Sequence, residues 1–232
     1  MAIFYAPDIL KEPILPEDES LHCSKVLRLQ AGAEITIIDG AGGLFKAHIT
    51  IPHAKHTEVE IVDKNYVPEK DFRVHIAIAP TKNIDRTEWF LEKATEIGIN
   101  EITPLLCAHS ERKQVNLERM LKILVASAKQ SKNIRLPKLN PLTPFDKFVT
   151  EVQEDSRFVA HCTDSEKHSL LTVCPKSRSV VVLIGPEGDF SESEIALALS
   201  EGFLPVSLGE SRLRTETAGV VACHIVNLAQ QL

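Results

Sequence analysis

The chain has 232 residues, 44% hydrophobic and 25% charged, close to the balance of ordinary globular domains. That length fits one large domain or two unequal ones, the composition excludes wholesale disorder, and no run of about 18 apolar residues is present to cross a membrane. The formal net charge of −6, from 26 basic and 32 acidic residues, taken alone argues against a nucleic-acid-binding chain.

The opening Met1-Ala2-Ile3-Phe4-Tyr5 reaches Pro7-Asp8 with neither a basic nor a long apolar stretch, so no signal peptide is expected and the expected address is the cytoplasm. From Glu34 to Asp63 the pattern predicts strands. Ile35 to Ile38 is followed by the turn Asp39-Gly40-Ala41-Gly42-Gly43, then by Leu44 to Ile51 and Val59 to Val62. This is a small β meander or barrel, bounded near Asn65 to Lys70 by Pro68 and a group of charges. His48, His53 and His56 have metal-like spacing, but no acidic or cysteine partner completes a set. The five cysteines (Cys23, Cys107, Cys162, Cys174, Cys223) form no C-x-x-C pair. Neither a disulfide framework nor a bound metal is expected.

Beyond residue 70 short apolar runs alternate with helical spacing. Val74 to Ala79 predicts a strand, Thr87 to Ile97 a helix, Ile102 to Leu106 a strand and Leu117 to Ala128 a helix. Strands follow at Phe158 to His161, Val180 to Ile184 and Val206 to Leu208, with helices over Ser191 to Glu201 and from about Glu216 to Gln231. The pattern implies βα units and a mostly parallel sheet covered on both faces, hence a β domain over residues 1–70 and an α/β domain over 71–232.

Two stretches stand out in the α/β part. In Leu183-Ile184-Gly185-Pro186-Glu187-Gly188-Asp189-Phe190-Ser191, two glycines permit close backbone approach and Ser191 with Glu194 makes a capping box. Such a strand-to-helix turn either binds a ligand at the carboxyl end of the sheet or is an ordinary tight turn. It is not a phosphate loop, because no Gly-Lys-Ser/Thr follows. In Leu208-Gly209-Glu210-Ser211-Arg212-Leu213-Arg214-Thr215-Glu216-Thr217-Ala218, Thr215 is the expected N-cap and Glu216 suits the positive helix end. Arg214 either serves the site or pairs with an acid such as Glu216.

The last helix is apolar almost all round, with only His224 and Asn227 strongly polar between Ala218 and Ala229, which predicts a second buried face and a homodimer. Between Ser110 and Lys138 lie eight basic residues and two acids, a local surplus of six. A surplus of that extent presents its own field to a phosphate backbone, or else is a solvated helix face. The overall charge therefore conceals polarity: residues 1–70 carry 7 basic and 11 acidic groups, residues 71–232 carry 19 and 21.

These residues resemble the ribosomal small subunit methyltransferase E family, whose members methylate N3 of one uridine of 16S rRNA with S-adenosylmethionine. The likeness rests on Ile184-Gly185-Pro186-Glu187-Gly188 and on Leu208-Gly209 with Leu213-Arg214-Thr215-Glu216-Thr217-Ala218. It extends to His22 with Val26-Leu27-Arg28, Lys82, Glu92 to Gly98, Ser110-Glu111-Arg112 and Gln130-Ser131. The resemblance implies an N-terminal PUA-like β-barrel for RNA binding and a SPOUT-type α/β domain with a trefoil knot, working as a homodimer through the C-terminal helix. It implies a cofactor site at Leu183, Ile184, Gly185, Pro186, Glu187, Gly188, Leu208, Gly209 and Leu213 to Ala218, with Arg214 catalytic. RNA contacts are expected from His22, Arg28, Lys82, Arg112, Gln130, Lys132 and Arg135, with 16S rRNA or the small ribosomal subunit as partner and no membrane. Another RNA such as tRNA, or a silent assembly factor that binds RNA, are the rival readings; Lys82 and Glu92 to Gly98 favour rRNA. Three positions depart from the family pattern: Asp189 stands where a glycine is usual, Ser211-Arg212 where Arg-Ile is usual, and Asn133 where an arginine is often found.

Overall fold

The computed structural model describes residues 2–163, 166–176 and 179–231. The chain forms two compact units, Met1–Glu69 with Val125–Leu136, and Lys70–Leu124 with Pro137–Leu232.

In the first unit, β1 (Ile3–Tyr5) precedes α1 (Glu17–Leu21) and a single π-helical turn, His22–Val26; β2 (Glu34–Ile38), β3 (Gly43–Ile51) and β4 (Glu58–Tyr66) follow. The sheet runs β1-β2-β3-β4, with β1 parallel to β2 and the other pairs antiparallel. Ile35, Ile37, Phe45, Ala47 and Ile49 alternate into one core with Phe4, Ile9 and Leu15, so a one-residue slip of register would turn that set to solvent. The β2–β3 turn is tied by Asp39, whose Oδ1 accepts from the backbone N–H groups of Ala41 and Gly43 at 2.7 and 2.8 Å, while Gly40 and Gly42 take the positive φ it needs.

A domain running unbroken from residue 71 is not what forms, because Val125–Leu136 joins the first unit. Lys129 holds both carboxylate oxygens of Glu19 at 2.6 and 2.8 Å, Arg135 donates to the carbonyl of Val67 at 2.9 Å, and the Leu136 N–H donates to the carbonyl of Gly40 at 2.9 Å. Partners this far away in sequence leave no local signature.

In the second unit the order is β5 (Arg73–Ile78), α2 (Ile84–Ile97), β6 (Glu101–Leu106), α3 (Leu117–Ser131, its later part counted with the first unit), β7 (Lys138–Leu139), β8 (Thr143–Pro144), α4 (Phe145–Glu151), β9 (Ser156–Ala160), β10 (His168–Ser169), α5 (Leu170–Val173), β11 (Ser179–Ile184), α6 (Glu192–Ser200), β12 (Leu204–Ser207) and α7 (Thr215–Ala229). The strands are ordered β10-β12-β9-β11-β5-β6-β7 with β8 also beside β6, and every pairing is parallel. The expected mostly parallel α/β sheet is therefore present. Its central strands β5 and β11 are buried from Val74 to Ile78 and from Val180 to Ile184, which is why they read as continuous apolar runs.

Local signals set the helix ends. Asn83 caps α2 by accepting from the Asp85 N–H at 3.1 Å, and Gly98, left-handed at φ 101°, ends it. Ser191 and Glu194 form the capping box of α6. At α7 the N-cap is Arg214 rather than Thr215, which is the first helical residue and buried. The last strand sits at Leu204–Ser207, earlier than Val206 to Leu208, because Ser207 turns its hydroxyl to the carbonyl of Gly209 at 2.9 Å and starts the loop. Helix α7 packs on α2, β5 and β11. Gly219 is needed there, since a Cβ would lie 2.7 Å from the Phe90 ring.

Candidate cofactor site

The loops at the carboxyl ends of β5, β6, β9, β11 and β12 gather around one turn. After β11, the backbone from Gly185 to Asp189 closes on itself through the Asp189 N–H and the carbonyl of Pro186 at 2.9 Å. Two other loops are fastened to it and to the start of α6. The Lys82 N–H donates to Glu187 Oε1 at 2.9 Å, the Ala108 N–H donates to Glu194 Oε1 at 2.8 Å, and His109 Nδ1 lies 3.1 and 3.0 Å from the carbonyls of Gly188 and Asp189. A Cβ on Gly188 would come within 3.2 Å of the His109 Cβ, so the glycine permits this contact.

The result is a two-part cleft. One cavity of about 270 Å³ is lined by Ile184, Gly185, Pro186, Glu187, Leu213, Arg214 and Thr215, together with Arg86 and Asp189. A second, of about 310 Å³, is lined by Val206, Leu208, Gly209, His161 and Lys167 among others. Ala160, Cys162, Arg212, Leu213 and Ala218 border both. Of the expected cofactor residues, Leu183, Gly188, Glu216 and Thr217 line neither cavity. Leu183 is buried behind the turn and Gly188 faces His109. Glu216 is buried 3.9 Å from Arg86, and its Oε2 has no partner. That placement gives Arg86, not Arg214, as the cation beside Glu216.

Arg86, His161, Cys162 and Lys167 also line the cleft, together with Asp189, the departure from the family pattern in the first loop. Arg86 left one signal in the sequence: a cation in the first turn of a helix sits against the dipole, which an ordinary surface position avoids. His161 is 8% exposed with no partner for Nδ1; burial and the nearby charge of Lys167 push its pKa down, against an upward pull from Asp189. The imidazole of His161 thus lines a cleft with apolar walls, backbone groups and four cations, Arg86, Lys167, Arg212 and Arg214, and Glu216 is buried behind Arg86.

The expected RNA residues fare unevenly. Arg28 is exposed at φ 52° beside exposed Val26 and Leu27, and His22 packs edge-on against Phe4. Lys82 pairs with Glu111 at 2.8 Å over a recess also lined by Arg112, Lys113 and Gln114. Arg112 donates to the carbonyls of Thr81 and Lys82 at 3.0 and 2.6 Å, so much of its guanidinium supports the loop after β5. Arg135 is likewise engaged with Val67, Lys132 adopts φ 59°, and Gln130 is exposed on α3. The basic segment is weaker than its sequence suggests: Lys129 pairs with Glu19, Arg119 with Glu88 and Lys138 with Glu101. Three acids from elsewhere thus halve a surplus of six.

A cavity of about 510 Å³, larger than either half of the cleft, lies at the opposite, amino end of the sheet. It contains His75, Glu101 and Glu154, whose ligand-type atoms lie within 4.8 Å of one another. These groups are already used. His75 bonds Glu154 through Nδ1 and Thr103 through Nε2, and Glu101 accepts from Arg73, Lys138 and Asn140 at 2.9, 2.8 and 2.7 Å. With two cations on Glu101 and a donor or acceptor for each atom, the cluster fastens strands together and has little to offer an ion.

Known proteins show the family. The RNA methyltransferase domain family matches residues 68–227, and the RNA methyltransferase PUA domain family matches residues 15–62. Ribosomal RNA small subunit methyltransferase E of Synechocystis is 32% identical over 96% of this chain and 75% of its own length. A structure from Porphyromonas gingivalis described as a probable rRNA-methyltransferase is 39% identical, with a TM-score of 0.93 over 100% of this chain and 99% of that one. Ribosomal RNA small subunit methyltransferase E from Neisseria gonorrhoeae, solved bound to S-adenosyl methionine, is 25% identical, with a TM-score of 0.85 over 96% and 95%. The family match over residues 68–227 and the 32% identity to the Synechocystis enzyme place this chain in the ribosomal RNA small subunit methyltransferase E family.

Proposed function

We propose that the protein transfers a methyl group from S-adenosylmethionine to N3 of a single uridine in the 16S rRNA of the small ribosomal subunit, acting in the cytoplasm as a homodimer. Membership of the family makes it an S-adenosylmethionine-dependent rRNA methyltransferase; target atom, dimer and location are the proposed part. The observation that carries the reading is the cleft at the carboxyl end of the sheet, where a buried ring nitrogen of His161 lacks a partner and the backbone of Gly185 and Gly209 lines the walls. Such an orphan is costly unless a ligand meets it.

When bound, S-adenosylmethionine supplies a methyl group already activated on a sulfonium. The chain's part is alignment, which can lower a barrier by as much as about 7–11 kcal/mol in ideal cases. Gly185, Leu208, Gly209 and the N-terminal turn of α7 offer backbone to hold it, and Ile184, Leu213 and Ala218 give apolar walls. As N3 of the uracil loses its proton, negative charge spreads onto the ring carbonyls. We assign Arg214 to stabilise that charge, and its exposed position at the cleft as the N-cap of α7 supports the assignment. Glu216, buried near Arg86 at the positive end of α7, suits a structural role better than a base. The uridine must be presented unstacked, because N3 faces the pairing partner in a helix.

The dimer is supported by α7, where Thr217, Val220, Val221, Ile225 and Leu228 remain only partly covered within one chain. The knot is supported by topology: β12 lies outside β9, yet α7 crosses back to β5 and α2, the return that a tucked C-terminal segment makes. Among the described residues no helix is long and apolar enough to cross a membrane. Mass mapping of 16S rRNA from a deletion strain tests the function: restoring the protein should restore one methylated uridine, and an unchanged map would overturn it. Light scattering at micromolar concentration tests the dimer, which a monomeric mass would exclude.

A further inference from the structure

Asp189 occupies a left-handed backbone conformation, φ 63°, on the turn between β11 and α6. A non-glycine residue rarely sits there without a compensating interaction. Its carboxylate shows the compensation. Oδ1 accepts from the N–H of Phe190 at 2.9 Å, within its own turn, and Oδ2 accepts from the N–H of Cys162 at 2.8 Å, in the loop after β9. The backbone carbonyl of the same residue lies 3.0 Å from His109 Nδ1, in the loop after β6. One residue thus joins three loops that surround the cleft. The loop after β9 is the wall shared by both halves: Ala160 and Cys162 border each cavity, and His161 borders the second.

Although Asp189 lines the cleft, both of its carboxylate oxygens are engaged by backbone N–H groups of the walls. We propose that Asp189 is a positioning residue for cofactor binding, its carboxylate holding the loop after β9 against the turn after β11 so that the two-part cleft is formed before the ligand arrives. The proposal rests on the reading of this cleft as the S-adenosylmethionine site. It makes preorganisation, not direct contact, the contribution of this side chain.

Two substitutions separate the clamp from the backbone conformation. Asp189→Gly removes the carboxylate and suits positive φ, so the free protein should keep its melting temperature. Asp189→Ala removes the carboxylate and keeps the unfavourable φ, so it should lose melting temperature as well. By calorimetry with S-adenosylhomocysteine as the probe, both should bind about tenfold more weakly or worse, the loss expected for a hydrogen bond to a charged group. Asp189→Asn tolerates the same φ and keeps one acceptor oxygen, so it should recover part of that loss. Cys162 gives a readout in the absence of ligand, since it is the exposed cysteine of the five. Its alkylation should be faster in free Asp189→Gly than in the wild type. Wild-type binding with undiminished affinity in Asp189→Gly would overturn the proposal alone, as would unaltered alkylation of Cys162. A wild type that does not bind S-adenosylhomocysteine would overturn the cofactor reading and take the proposal with it.

Discussion

The two ends of the parallel sheet are built from the same strands and treat polar groups in opposite ways. At the amino end of β5, β6 and β9, a large cavity is lined by His75, Glu101, Thr103 and Glu154, and each of their buried polar atoms has a partner. At the carboxyl end the cavities are smaller, Glu216 and His161 each leave a buried atom unpaired, and Asp189 holds a left-handed backbone. Volume and titratable residues therefore fail to mark the working end. Between these two ends the difference is in polar pairing, although Glu88, Arg135 and Asn227 also hold an unpaired buried atom away from the cleft.

The sharpest way to break this contrast is at Arg214. Arg214→Ala should lower methyl transfer by roughly 10²–10³-fold, the usual cost of removing one group that stabilises developing charge, while the affinity for S-adenosylhomocysteine stays nearly constant. Single-turnover kinetics with binding calorimetry measures both. Unchanged turnover would remove Arg214 from the mechanism.

Next in size is the response to ligand. S-adenosylhomocysteine at about 100 times its dissociation constant should add about 2.7 kcal/mol of stability, a rise of roughly 5–10 °C in melting temperature for a chain this long. Glu154→Gln, at the amino end, should leave that rise intact. A variant there that abolished it would show the two ends to be coupled.

How much of this could be read from residues alone follows from range. The buried strands at Val74 and Val180, the α6 capping box and the glycines of the β11 turn are local patterns, and they appear where the spacing puts them. Helix α4 had a readable signal in Phe145, Phe148 and Val149, all buried at helical spacing, but it is short and begins after Pro144. β7, β8 and β10 are two residues each, too short for periodicity to register. The cleft was legible in its two loops. Its third wall, from Ala160 to Cys162, was not, because its tie to Asp189 spans 27 positions. The pairing that weakens the basic segment is hidden for the same reason: Glu19 stands 110 residues from Lys129.

That correction yields a smaller effect. With a surplus of three charges in place of six, about three phosphate contacts would give an RNA affinity falling roughly 20- to 40-fold between 50 and 200 mM salt. Six contacts would give about 10³-fold. Filter binding to 16S rRNA fragments across that range distinguishes them, and the steeper slope would mean that the pairs with Glu19, Glu88 and Glu101 open on binding.

The smallest effect concerns acid, and it belongs to the amino end. Burial alone would raise the carboxyl pKa of Glu101 and of Glu154. Hydrogen bonds from Lys138 and Asn140, with the charge of His75, outweigh burial at Glu101; the hydrogen bond and charge of His75 do so at Glu154; both end below the ordinary carboxylate value. A carboxylate lowered on folding contributes stability that is fully present above its unfolded pKa, about 4.3 for glutamate, and that disappears as pH falls through the folded value. Glu154→Gln should therefore cost roughly 1.5 kcal/mol at pH 7, with the gap from wild type closing as pH falls below about 4.3. Methyl transfer per folded molecule should not change, since Glu154 lies at the other end of the strands from Arg214. Urea denaturation at a series of pH values measures the gap. If it stayed constant down to acid pH, the carboxylate of Glu154 would be filling space and not holding His75, and the amino end would owe its order to packing.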